Sequence, residues 1–180
     1  ALSALPDFTA LPGTDARAHH ASGIVIAPSL AYMERAFFDA RTRGWSAAPI
    51  VELLIPSVVD DSLAPPGMHV ASLFCQHVHP DLAAVLPGRT WDDARDQVAD
   101  LMVGTVDRVA RNFKASVIGR RALTPLDLER EFGLTGGDIF HGALGLDQLF
   151  SARPVLGHGN YRAPVRGLYL CGAGTHPGGG

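Results

Sequence analysis

The sequence predicts an α+β fold, and three observations carry that expectation. Short apolar, β-branched runs alternate with longer stretches of helical spacing. Two of the helical stretches open on a threonine with an aspartate three residues later, the pattern of a capping box. Two of the apolar runs flank a loop containing Pro65-Pro66-Gly67, as the strands of a hairpin do.

Taken in order, residues 1–20 are rich in Ala, Pro and Gly, end in Ala18-His19-His20, and read as an irregular lead-in. Gly23 to Ala27 (GIVIA) reads as a strand. Ser29 is a good N-cap, and Leu30, Met33, Phe37 and Ala40 follow at helical spacing. Arg41 and Arg43 suit the last turn, and Gly44 suits the stop. Pro49 to Ile55 and Val70 to Val78 read as the hairpin strands. Thr90 and Asp93 open the next helix, whose stripe is Ala94, Val98, Leu101, Met102, Thr105, Val109 and Phe113. Lys114 to Leu123 reads as a strand centred on Val117 and Ile118. Thr124, Pro125 and Asp127 then supply an N-cap, a proline at N1 and an acid at N3 for a helix ending at Gly133.

The order to residue 123 is therefore βαββαβ. Two split βαβ units of this kind give a ferredoxin-like antiparallel sheet with helices on one face. The other face must meet solvent, a second chain or another domain. Leu168 to Cys171 reads as a further short strand, feeding a glycine-rich turn. The expected organisation is a lead-in over 1–20, an α+β unit over 21–166, and a distinct strand-and-turn element over 167–180.

Composition narrows the function classes. The chain has 180 residues, enough for one domain with a real core. Apolar residues make up 47% of it, so a surface resting against a partner is expected, and self-association through the open sheet face is the simplest form. A formal charge of -3 without a basic block excludes the usual electrostatic footprint of nucleic-acid binding. Cys75 and Cys171 are far apart and outside any metal or redox spacing, which favours a reducing compartment, the cytoplasm. No apolar run reaches the length of a bilayer span, residues 1–12 lack the features of a signal peptide, and the chain does not begin with methionine.

Few residues point to chemistry. Cys75, His77 and His79 alternate along one strand and carry zinc-ligand atoms, but same-face neighbours lie about 6.5–7 Å apart, too far to converge easily on one metal. No metal is expected. Asp60-Asp61 and Asp92-Asp93 are accounted for by turn and capping chemistry. Within Gly136 to Gly142, Phe140 could line a pocket and His141 could donate to a ligand, or the stretch is simply a tight connection. The terminal turn is the strongest signal. Its glycines leave bare backbone N–H groups that suit a phosphate or a polarised ring, although a glycine-rich tail is also compatible with disorder. Pro177 interrupts any Gly-x-Gly-x-x-Gly fingerprint.

The segment "GLYLCGAGTHPGGG", Gly167 to Gly180, resembles the flavin-contacting segment near the C-terminus of phytoene-desaturase-like FAD oxidoreductases, members of the wider amine-oxidase superfamily. Ser62 to Val78 resembles the hairpin of that family's substrate domain, and Gly136 to Gly172 resembles the return from that domain to the flavin. The resemblance implies FAD as cofactor and hydride transfer from a substrate carbon to the flavin. It implies that Gly172, Ala173, Gly174, Thr175, His176, Pro177, Gly178, Gly179 and Gly180 lie at the flavin, with Phe140, His141, His158 and Tyr161 on the substrate side. It assigns the strand and turn after Gly167 to an FAD-binding domain whose N-terminal Rossmann unit, the missing partner, has no counterpart in this sequence. The chain alone is accordingly expected to bind FAD weakly or not at all and to be inactive. The alternative is a non-catalytic binding or dimerisation module for a partner chain or an apolar ligand.

Overall fold

The computed structural model describes residues 1–176. The chain forms two compact units, one over residues 1–123 and one from residue 124 onward. The fold is α+β, with three strands, all antiparallel, and four α-helices among the described residues.

In the first unit the elements are β1 (Ile24–Ile26), α1 (Leu30–Arg43), β2 (Trp45–Leu54), β3 (Ser72–Val78), α2 (Trp91–Asp107) and α3 (Phe113–Ser116). Local chemistry places the helix ends where the sequence puts them. The Ser29 hydroxyl accepts the Tyr32 N–H at 3.2 Å, and Gly44, at φ +87°, donates to the Ala40 carbonyl. At α2 the Thr90 N–H donates to the Asp93 carboxylate at 2.9 Å while Thr90 Oγ1 accepts the Asp93 N–H, a complete capping box.

Strands β2 and β3 form the expected hairpin, with Val51 opposite Cys75 and Leu53 opposite Leu73. Strand β1 lies directly on β2, with Ile24 opposite Leu53 and Ile26 opposite Val51. Because opposed residues share a face, the sheet has two distinct sides. Val51 and Leu53 are buried on one; Val25, Leu54 and Phe74 are exposed on the other.

The ferredoxin-like topology is not the one adopted. A split βαβ unit needs β1 and β2 parallel with a gap for an inserted strand. Here they pair with each other and run antiparallel, so no gap exists. The expected strand over residues 114–123 is also absent. The Asp107 carboxylate accepts the Lys114 N–H at 2.8 Å, and the Ser116 hydroxyl donates to the Phe113 carbonyl, which holds one turn of helix where extended chain was expected. Val117 and Ile118 do pair, but with the chain start: Val117 bridges Leu2, and the Ile118 N–H donates to the Ala1 carbonyl at 3.0 Å.

Residues 1–20 are irregular in backbone yet belong to the core. Leu2, Leu5, Phe8 and His20 are buried. Asn112 clamps this segment with both ends of its amide, accepting from the Asp7 N–H at 2.7 Å and donating to the Leu5 carbonyl at 2.9 Å. Helix α1 departs from its expected stripe. It buries the small residues Ala36 and Ala40, while Leu30, Met33 and Phe37 stay exposed. Small residues on the buried face let a helix approach a strand closely, and the large apolar groups are then left on the outer side.

The second unit opens with α4 (Pro125–Phe132). Thr124 and Asp127 form its capping box, and Gly133 ends it in the left-handed conformation at φ +69°. Gly137 packs so closely on the start of α4 that a Cβ there would lie 2.5 Å from Pro125 Cα. The other described residues of this unit form turns, short 3-10 segments and an isolated bridge.

Candidate functional site

A tight hairpin-like loop builds the centre of the site. The Leu170 N–H donates to the Tyr161 carbonyl at 2.8 Å, the Ala163 N–H donates to the Leu168 carbonyl at 3.1 Å, and Arg162 bridges Tyr169. The sequence-expected strand Leu168 to Cys171 is therefore reduced to an isolated bridge. Among the described residues it joins no sheet and no strand of a second domain. The Leu168 N–H and carbonyl and the Leu170 N–H are satisfied within this loop.

The chain then turns again. Gly172 takes φ +112°, and its carbonyl accepts both the Thr175 N–H at 3.0 Å and the Thr175 hydroxyl at 2.8 Å. This is a side-chain-stabilised turn of the kind threonine favours. The turn is held against the loop by His176, whose Nδ1 lies 2.9 Å from the Phe150 carbonyl and whose ring meets Tyr161 edge-on at 5.5 Å.

Between the loop and the turn lies a cleft of about 70 Å³, with His158, Tyr161, Leu170 and Thr175 in its wall. That volume suits a small group or a few waters and is well below the roughly 300–1,000 Å³ of a complete ligand pocket.

The structure brings most of the sequence-named residues together. His158 and Tyr161 share the cleft with Thr175. His141 joins the turn from another side, its Cβ 3.9 Å from the position a side chain on Gly174 would take. Gly172 and Gly174 are exposed, with Ala173 half-buried between them. Phe140 is not drawn in; it is exposed beside an Asp138 turn. The Asp138 carboxylate accepts N–H groups from Phe140 at 2.9 Å and Gly142 at 2.6 Å, and these bonds hold its pKa below the usual carboxylate range. That segment behaves as the tight connection the sequence allowed. Pro177, Gly178, Gly179 and Gly180 lie outside the described residues.

Sequence reasoning missed Arg153. Its side chain is buried, and its Nη2 donates to the His141 carbonyl at 3.2 Å. A lone arginine before a proline gives no signal that it will be buried.

The Cys75, His77 and His79 run lies at the end of β3. Burial pushes the Cys75 thiol up to about 12. Burial lowers the His77 pKa, and its ring sits edge-on to Phe37 at 5.5 Å. Among the described residues no three His, Cys, Asp or Glu side chains gather closely enough to hold a metal ion. Nor, among the described residues, is any helix long and apolar enough to cross a membrane.

No family model matches the chain. Individual proteins do. The chain is 48% identical, across 100% of its length, to the pyridine nucleotide-disulfide oxidoreductase domain-containing protein 2 of Rattus norvegicus, of which it covers 31%. It is 29% identical to a 4,4'-diapophytoene desaturase (4,4'-diaponeurosporene-forming) of Staphylococcus aureus, matched over 73% of this chain and 26% of that protein. It is also 29% identical to a phytoene desaturase (lycopene-forming) of Paracoccus, over 69% of this chain and 24% of that protein. The chain resembles one segment of the phytoene-desaturase-like oxidoreductases. It spans about a third or less of the length of these relatives. In the desaturase-like segment the cleft carries two of the four residues assigned to the substrate side, His158 and Tyr161. A third, His141, stands against the turn.

Proposed function

We propose that these residues are the substrate-domain portion of an FAD-dependent oxidoreductase of the desaturase or dehydrogenase type. One observation carries the reading: Tyr161 and His158, from the substrate side, meet Thr175, from the cofactor turn, in a single small cleft. The exposed backbone at Gly172 and Gly174 fits one rim of a flavin site, since no side chain screens it. When bound, FAD supplies the two-electron acceptor for a hydride leaving a substrate carbon. This chain's residues set the wall: Tyr161 and His176 brace the turn, and the Gly172 carbonyl fixes Thr175. The groups that grip the ADP part of the cofactor belong to a Rossmann unit in the remainder of a longer protein. On that reading this chain alone neither retains FAD nor turns over, and the whole protein works in a reducing compartment such as the cytoplasm.

Titrating FAD into the isolated chain should give no saturable quenching of flavin fluorescence. The whole natural protein containing these residues should carry one FAD per chain, and Gly174→Val in that protein should lower its flavin content. A whole protein free of flavin would overturn the reading, and tight stoichiometric binding by the isolated chain would overturn the claim that the clamp lies elsewhere.

A second reading, a binding or dimerisation module, is favoured by one feature. Val25, Leu54 and Phe74 are exposed on the open side of the sheet. Sedimentation equilibrium of the isolated chain should then show concentration-dependent self-association, weakened by Phe74→Glu. A monomer at all concentrations would count against it.

A further inference from the structure

We propose that His19, His20 and His69 form an acid-sensitive latch that holds the irregular lead-in, residues 1–20, onto the first unit. The ring centres of His19 and His20 stand 4.0 Å apart. Phe8 closes on them, meeting His19 edge-on at 6.0 Å and His20 at 6.2 Å. His69 sits on the other side of the latch. The Leu2 N–H donates to the His69 carbonyl at 2.8 Å, and the His69 N–H donates to the Leu2 carbonyl at 2.9 Å. Its ring is close enough to His20 for charge on one to oppose charge on the other.

Geometry favours the neutral cluster. His20 is 0% exposed. Its Nε2 lies 2.9 Å from the Pro6 carbonyl, which can only accept, and its Nδ1 accepts the Arg17 N–H at 3.3 Å. The ring is therefore the Nε2–H tautomer, and a second proton must fall on Nδ1, where an N–H already points. Nε2 of His19 and Nδ1 of His69 are buried with no hydrogen-bond partner. Both nitrogens of a protonated imidazole donate, so charging either ring leaves a buried donor without an acceptor.

The charged groups around the latch give no relief. Arg17 opposes charge on His19, and His20 opposes it on both His19 and His69. The Asp7 carboxylate accepts the Gly13 N–H at 2.7 Å, and Asp15 is exposed. Residues 109–118, which pair with the lead-in, carry only the cations Arg111 and Lys114. Residues 65–71 carry no ionisable side chain besides His69. Among the described residues no carboxylate forms a hydrogen bond or ion pair with any of the three rings. Burial first, and then neighbouring positive charge, hold His19 and His69 below the ordinary histidine range. The released lead-in then binds more protons than the latched one. The latch is at full strength above about pH 6.5, the ordinary histidine value, and weakens as pH falls through the lowered values. Release uncovers Leu2, Leu5 and Phe8, all buried when the latch is closed.

The test is amide hydrogen exchange of the full 180-residue chain by NMR, corrected for the intrinsic effect of pH. Between about pH 7.5 and about pH 5, protection at Leu2, Thr9 and His69 should fall by about tenfold or more, while amides within α2 change less than about twofold. Unchanged protection in the lead-in overturns the proposal. So does an equal loss throughout the first unit, which is general acid unfolding. Replacing both His19→Gln and His69→Gln keeps polar side chains that take up no proton, and should cut the pH effect to less than about threefold. A full-sized pH effect in that folded variant overturns the proposal. Where the variant does not fold, the ring Cε1–H signals of the unmutated chain decide. Those of His19 and His69 should titrate below about pH 6.5, together with the loss of lead-in protection. Titration at or above that value, or protection lost independently of it, overturns the latch.

Discussion

Replacing Phe113 with alanine should lower the stability of the first unit by about 3–5 kcal/mol, the usual cost of emptying a buried phenylalanine site. Phe113 is 1% exposed and opens α3, the short helix between α2 and the residues that pair with the chain start. Its surroundings are tied down from several sides. Asn112, its neighbour, clamps Leu5 and Asp7, and Ser116, one turn on, accepts from Ser3. The site therefore has little freedom to collapse into the cavity, which places the cost toward the upper end of that range. Domains of this size are stable by only about 5–15 kcal/mol. Urea unfolding monitored by far-UV circular dichroism should show a clear fall in midpoint at an unchanged slope. A shift worth less than about 1 kcal/mol would mean that the side chain does not occupy the core.

The second large effect is expected at Gly137. An alanine there meets two separate costs. Its backbone sits at φ +70°, a conformation that costs an L-residue with a Cβ roughly 1–2 kcal/mol. The new Cβ would also lie 2.5 Å from both the Cα and the carbonyl oxygen of Pro125, backbone atoms that cannot rotate away. Relieving such a contact costs about 1–3 kcal/mol more. Gly133 is the matched control. It takes φ +69° with open space where a Cβ would go, so Gly133→Ala should show the conformational term alone. Comparing the two variants by amide hydrogen exchange in α4 isolates the clash. Equal destabilisation of the two would show that Gly137 does not pack on Pro125.

The cleft depends on the same logic of close approach. Gly159 has a Cβ position 2.9 Å from Ser151 Cα, so a bare backbone at that point sets where His158 can stand. The site is thus shaped by glycines that bring chain segments together and by a threonine and an aspartate that tie their own turns. These local devices are set by residue type and short spacing, which is the part of the site that a sequence can display. The resemblance put Thr175 at the flavin and Tyr161 and His158 on the substrate side, and all three line one cleft. Phe140, which the resemblance put on the same side as Tyr161, stands exposed beside the Asp138 turn. The burial of Arg153 could not be read, since it depends on segments that meet only in the folded chain.

What the sequence determined by itself was the set of features whose hydrogen bonds close within a few residues. The capping boxes at Thr90 and Thr124 and the stop at Gly133 are of this kind. Each is satisfied by neighbours in the chain, so residue type and spacing suffice to specify it. The tertiary structure decided which distant segments pair and which faces are covered. Val117 and Ile118 have the residue character of a strand, but nothing in their spacing says that Leu2 and Ala1 are their partners and not the sheet. The same holds for α1, where close packing through Ala36 and Ala40 leaves Leu30 and Met33 outside. Pairing and burial at long range are won by the whole arrangement that best satisfies backbone groups and apolar surface together, and local propensity is only one contribution to it.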